Sequence, residues 1–177
     1  MERYGGGPIV VVDYDPAWPA LFDAERAAVE RALGDLVVAI EHIGSTAVPG
    51  LPAKPIIDLL VGVHDLQAAR LRALAPLQAL GYAYLPEYES WLPAELFFRK
   101  GLPGPWTHHA HLMERSNPRW ADFLLFRDHL RADPDDAAAY AAEKRRLAAS
   151  FGEDIAGYRT GKGEFVAAAK ARARAAR

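Results

Sequence analysis

An α/β fold (in the broader α+β sense), a β-sheet with helices and a helical C-terminal annex, is predicted for this chain by three features. Two runs, Leu36 to Ile43 and Pro55 to Val63, are almost continuously apolar, as strands buried on both faces are. Asp-Pro pairs at Asp15-Pro16 and Asp133-Pro134 stand at the head of helically spaced stretches, a carboxylate cap followed by proline in the first turn. Beyond Met113 every patterned stretch has helical character, so strands mixed with helices give way to helices alone.

In chain order, Gly5-Gly6-Gly7-Pro8 reads as a flexible lead, assigned to residues 1–7, ahead of a single domain over residues 8–177. Ile9 to Val12 is β-branched and predicts a short strand. Trp18, Leu21, Phe22, Ala28, Val29, Ala32 and Leu33 fall at helical spacing up to Gly34. After the two core strands, Leu66 to Leu80 predicts a helix stopping at Gly81. Tyr82 to Leu85, Leu96 to Lys100 and Trp106 to Met113 predict strands. Pro118 to Arg131, Pro134 to Phe151 and Glu164 to Ala175 predict helices. Lys170, Arg172, Arg174 and Arg177 form a basic end, expected to be solvated.

With 177 residues the chain can bury roughly 70% of its unfolded surface, enough for a core without staples. The absence of cysteine excludes a disulfide framework, a zinc ribbon, a thiol nucleophile and an iron–sulfur cluster, and it fits a cytoplasmic protein. A net charge of -2 gives no overall pull toward nucleic acid or membrane. No membrane span is expected, and the first eight residues lack the basic and apolar regions of a signal peptide.

The segment from His42 to Asp58 carries the chemistry. Gly44 lets the backbone approach a ligand, Ser45 and Thr46 offer hydroxyls and adjacent N–H groups suited to phosphate, and Lys54 adds a positive charge. Asp58 interrupts an apolar strand, where a carboxylate is costly unless paired, hydrogen-bonded or on a metal. A tight turn with a structural aspartate is the plainer alternative. In Trp106-Thr107-His108-His109-Ala110-His111, His109 and His111 share a strand face at about 7 Å, and with Asp58 they make a two-imidazole, one-carboxylate set. Such a set suits zinc, manganese or ferrous iron better than magnesium. Arg127 is phased with the apolar stripe of its helix and needs an anionic partner, a carboxylate or a ligand phosphate. Arg99 and Lys100 point opposite ways, so at most one faces a cleft. His42 is expected in the core. Tyr140-x-x-x-Lys144 is expected as a packing and solvent-facing pair, because no dinucleotide fingerprint supports a dehydrogenase dyad. Gly161-Lys162-Gly163 lacks the remaining residues of a P-loop.

The string Gly44-Ser45 … Asp58, with Pro49-Gly50-Leu51 and Lys54-Pro55 between, resembles the signature of the GrpB family within the nucleotidyltransferase superfamily. Further blocks agree: Tyr14-Asp15-Pro16-x-Trp18, Phe98-Arg99-Lys100-Gly101, His109-x-His111, Phe126-Arg127-Asp128-x-Leu130-Arg131, and Tyr140 with Lys144. The resemblance implies a nucleotidyltransferase-like mixed β-sheet flanked by helices, and metal-dependent transfer from a nucleotide or related phosphorylated substrate. It implies Asp58 as catalytic residue and, with His109 and His111, as ligand of a divalent ion (zinc, manganese or magnesium). Gly44, Ser45, Thr46, Lys54, Lys100 and Arg127 would then hold substrate. The superfamily's active strand is Asp-x-Asp or Asp-x-Glu, whereas this chain has Asp58-Leu59-Leu60. A non-catalytic module binding a nucleotide or CoA-like ligand is therefore the alternative; a related domain also occurs joined to dephospho-CoA kinase.

Overall fold

The computed structural model describes residues 9–92, 94–101 and 105–176. The glycine-rich lead and Arg177 lie outside them. The described residues form a five-stranded mixed sheet and six α-helices. Helix α1 (Trp18–Leu33) leads to β1 (Val37–Ile43) and, after the Gly-Ser turn, β2 (Ile57–Val63). Helices α2 (Leu66–Arg72) and α3 (Leu74–Ala79) precede β3 (Tyr82–Tyr84), β4 (Leu96–Lys100) and β5 (His108–Glu114). Helices α4 (Pro118–Ala132), α5 (Pro134–Phe151) and α6 (Ile155–Ala175) complete the chain. The strand order is β1-β2-β5-β4-β3; β2 and β5 run parallel, and the other pairs are antiparallel.

Side-chain alternation divides the sheet into two unlike faces. Leu59, Val61, Leu96, Phe98, Ala110 and Leu112 point to one side, where they pack with Trp18, Phe22 and Val29 of α1 and with Ala69 and Leu77 of α2 and α3. The other side begins apolar, with Leu60 and Met113 against Ile43 and Trp120 of α4. It then turns polar, with Asp58, His109, His111 and Arg99. Strand β2 is buried throughout except at Asp58, which is half-buried.

Several elements differ from expectation for identifiable reasons. Ile9 to Val12 makes one bridge, Val12 to Ala53, instead of a strand, because no sheet edge lies beside it. Strand β1 is an edge strand with Val38 40% exposed, so it is not buried on both faces. The stretch from 66 to 80 breaks into α2 and α3 at Ala73: Pro76 has no N–H to offer the carbonyl four residues back. Helix α6 starts at Ile155, nine residues before the predicted Glu164, and Asp154 caps it through the Gly157 N–H. The glycines that argue against helix there serve packing. A Cβ at Gly157 would lie 2.5 Å from the Phe151 ring, and one at Gly161 would lie 2.6 Å from Leu147 of α5. The basic end is docked: Arg172 pairs with Asp136 and Arg174 with Asp122, which ties α6 to α5 and α4.

Gly62 on β2 exists for the same kind of contact, since a Cβ there would sit 2.8 Å from the buried Trp120 ring. A rigid indole cannot yield as a flexible chain end can. Gly62→Ala is expected to destabilise the fold by about 1–3 kcal/mol, read as a lower urea midpoint with an unchanged slope.

Candidate functional site

The polar half of the second sheet face opens into a cavity of about 370 Å³ between the sheet, the Gly-Ser turn and helices α4 to α6. At its base β1 ends beside β2, with Ile43 paired to Asp58, and the chain folds back over that aspartate. Gly44 has φ +72°, and a Cβ on it would lie 2.2 Å from Asp58 Oδ2. Only glycine satisfies both the left-handed backbone and that approach. Two arginines of α4 hold the turn: Arg127 donates to the His42 carbonyl at 3.1 Å, and Arg131 donates to the Ala47 carbonyl through Nε (2.9 Å) and Nη2 (2.7 Å).

Strand register delivers the other polar groups. Asp58, His109 and Arg99 are paired neighbours across β2, β5 and β4, and Leu60, His111 and Phe97 form the next row. His109 Nδ1 donates to Asp58 Oδ1 at 3.0 Å, leaving its buried Nε2 without a hydrogen-bond partner. His111 Nδ1 donates to Glu95 Oε1 at 2.5 Å, and Glu95 also pairs with Arg119 at 3.0 Å. A carboxylate behind an imidazole, as Glu95 stands behind His111, is the arrangement that orients histidine toward a metal. One donor atom from each of Asp58, His109 and His111 can lie within 4.8 Å of the others. The residues present therefore fit a divalent ion: one carboxylate, an imidazole oriented by Glu95, and a second imidazole whose Nδ1 bond to Asp58 an ion would replace.

The electrostatics agree with the contacts. Burial holds His109 below its ordinary value against the opposing pull of Asp58, so its neutral form is favoured. Burial works to raise the Asp58 carboxyl, but the His109 hydrogen bond and the charges of His109, His111 and Lys54 outweigh it and hold the group low. His42, stacked on Phe22 with centroids 4.5 Å apart, is pushed down to about 4 by burial. The Thr46 hydroxyl spends its proton on the Ile56 carbonyl at 3.2 Å, so the His42 Nε2 contact at 3.0 Å is donated by the imidazole.

Gly44, Ser45, Thr46, Lys54, Asp58, His109 and His111 all border this one cavity. Two expected substrate contacts do not. Lys100 lies on the opposite face, because it pairs with His108 while Arg99 pairs with His109; its Nζ bonds both Glu25 oxygens at 2.8 and 2.9 Å. The member of that pair that faces the cavity is Arg99. Arg127 is engaged by Glu41 at 2.8 Å and Asp128 at 2.7 Å, so its anionic partners are carboxylates and it braces the turn. Thr46 borders the cavity, but its hydroxyl is committed to the Ile56 carbonyl and His42.

Sequence reasoning also passed over residues that matter. Glu95 is fully buried behind His111. Lys144 is 2% exposed, donates to the Pro52 carbonyl and lies 4.8 Å from the Tyr140 ring, so the Tyr140–Lys144 pair faces the cavity and not solvent. Lys162 and Arg159 reach the cavity from α6. The local signal for Lys162 was its two flanking glycines, and the signal for Glu95 was its place two residues before Phe97 on the face of His111.

Five cations therefore border the cavity, Lys54, Arg99, Lys144, Arg159 and Lys162, against the single carboxylate of Asp58. Burial and then the neighbouring Lys162 and Arg145 lower the Lys144 ammonium to about 7. Burial and then Lys54 lower Lys162 to about 8. Both lose charge as pH rises, so anion affinity is greatest below about pH 7 and declines past about pH 8. Titration with sulfate, whose charge is constant over that range, checks this; equal affinity at both ends would refute it. Gly44→Ala is expected to destabilise the protein by about 1–3 kcal/mol and to displace the Asp58 carboxylate, seen as loss of the Asp58–His109 hydrogen bond in imidazole NMR.

Comparison with known proteins agrees with this architecture. The family model described as GrpB protein matches residues 8–172. The chain is 47% identical over 176 residues to the UPF0157 protein PA4798 of Pseudomonas aeruginosa, covering 95% of this chain and 69% of that protein. It is 33% identical over 175 residues to a dephospho-CoA kinase of Mycolicibacterium paratuberculosis, covering 85% of this chain but only 42% of the kinase. The crystal structure of conserved protein GrpB from Enterococcus faecalis superposes with a TM-score of 0.85 at 35% identity, over 93% of this chain and 96% of that one. The matched length, the level of identity and the shared fold together establish that this chain belongs to the GrpB family.

Proposed function

We propose that the cavity binds a nucleotide or related phosphorylated small molecule, and that the protein transfers a nucleotidyl or phosphoryl group from it with a divalent metal held by Asp58, His109 and His111. The observation that carries this reading is the meeting of five cations with that ligand set in one cavity. A polyphosphate presents several negative oxygens at once, which a set of cations converging on one cavity can meet. Arg99, 4% exposed, offers a fixed planar donor set near the floor, and Lys54, Lys144 and Lys162 offer point charges around it. Preorganised cations of this kind stabilise charge that develops on transferring phosphate oxygens. When bound, the metal would add Lewis-acid polarisation of a phosphoryl oxygen. Glu95 would fix the orientation of His111.

A second reading is favoured by one specific feature. Leu60 occupies the strand position where the superfamily carries its second acid, and it is 0% exposed among Ile43, Met113 and Trp120. The cavity would then serve as a binding module for a nucleotide or CoA-like ligand without turnover. The partial likeness to dephospho-CoA kinases supports a CoA-like ligand in that case.

Metal analysis and turnover of a labelled nucleoside triphosphate separate the two. Bound metal is expected to disappear in Asp58→Ala and His109→Ala, and Glu95→Gln is expected to weaken metal binding about 10–100-fold while preserving the fold. Metal-dependent turnover in the parent protein, lost in Asp58→Ala, supports transfer. Tight nucleotide binding with no turnover under zinc, manganese or magnesium supports the binding module. Absence of both metal and phosphate binding would defeat the proposal.

A further inference from the structure

Trp91 stands 59% exposed, and it is the aromatic residue among the exposed large hydrophobics of the described residues. It follows the short 3-10 turn Pro86–Ser90 and is held by its N–H to the Tyr88 carbonyl at 3.0 Å. Its ring lies 5.6 Å from that of Tyr88, centroid to centroid, at 50°. Arg159 of α6 approaches from across the opening, with its guanidinium carbon 5.8 Å from the Trp91 ring and 5.9 Å from the Tyr88 ring. Tyr88 and Arg159 both border the cavity, and Arg159 is exposed, so this bracket sits at the mouth.

The bracket is rigidly mounted. Tyr88 is buried, packs on Phe97 at 4.7 Å and accepts a hydrogen bond from Arg99. A continuous chain of tilted and edge-on ring contacts thus runs from Trp91, through Tyr88 and Phe97, to Arg99 and His109 at the floor. A largely exposed indole with a guanidinium over one side of its ring offers what a flat π-system takes: apolar surface to stack on and a cation close by. The open apolar surface also carries a standing hydration penalty that a stacked ring would remove.

We infer that Trp91, together with Arg159, stacks the base of a nucleoside phosphate whose phosphates lie among the cavity cations. The inference rests on the reading that the cavity holds phosphates, and it specifies that the ligand carries a planar base at its outer end. A bare phosphorylated sugar would leave Trp91 unused.

Calorimetric titration of the full chain with ATP and with inorganic tripolyphosphate, both with manganese present, tests it. Trp91→Ala is expected to weaken ATP binding about ten-fold and tripolyphosphate binding by less than about two-fold. Trp91→Phe, which keeps a ring, is expected to recover most of the loss. The exposure of the side chain makes unfolding of either variant easy to separate by a thermal melt. Equal weakening of both probes or an unchanged ATP affinity in Trp91→Ala would overturn the base-stacking role and leave the phosphate site standing. A parent protein that binds neither probe would overturn the phosphate reading, and this inference with it.

Discussion

The contact between Gly44 and the Asp58 carboxylate is the constraint on which the site depends. A half-buried carboxylate in the second core strand needs compensation, and this one finds it in the His109 N–H and the nearby Lys54 charge, while the turn closes over it with bare backbone. Any side chain at position 44 would occupy the space of Oδ2. The turn is in turn fixed by α4, through Arg127 on the His42 carbonyl and Arg131 on the Ala47 carbonyl, and by the Thr46 link to Ile56. Helix α4 itself is seated by Trp120, which needs Gly62 small. One line of close contacts therefore joins the helical annex to the position of a single carboxylate.

Much of the sheet was legible because its signals are local. The apolar run from Pro55 to Val63, interrupted by Asp58, suits a strand buried on both faces, and period-two alternation placed His109 with His111 and set Arg99 against Lys100. The alternation could not say which of Arg99 and Lys100 faces the cavity, because that depends on pairing with β5. Arg127 was legible as a guanidinium in need of an anion, and one partner, Asp128, is its sequence neighbour, but the other, Glu41, is known only from tertiary contact. Helix α6 was hidden for a physical reason: its glycines lower helix propensity by about 1 kcal/mol each, and packing against α5 overrides that. The same close packing brings Lys162 to the cavity, so the missed helix and the missed cation have one cause. Lys144 was missed because an i,i+4 pair on a helix looks solvated until a second helix covers it.

The charge inventory of the cavity is unlike that of a site built on two acidic residues. Where two carboxylates stand, metal ions must supply nearly all the positive charge that phosphate requires. Here hydrocarbon fills the second position at Leu60, and the side chains themselves provide the excess of positive charge. On the proposed reading, phosphate binding and metal binding are therefore separable tasks: the lysines and Arg99 hold the anion, and the imidazole pair with Asp58 holds the ion.

That separation also explains why Glu95 is buried. A carboxylate with no exposure is unfavourable unless its partners are strong, and it has two, the His111 N–H and the Arg119 guanidinium. Moved into the cavity, it would cancel one of the five cations that border it. Set behind His111, it steers an imidazole without touching the space the phosphates would occupy. A second carboxylate is therefore present one layer behind the cavity, which keeps the cavity cationic while the histidine stays oriented.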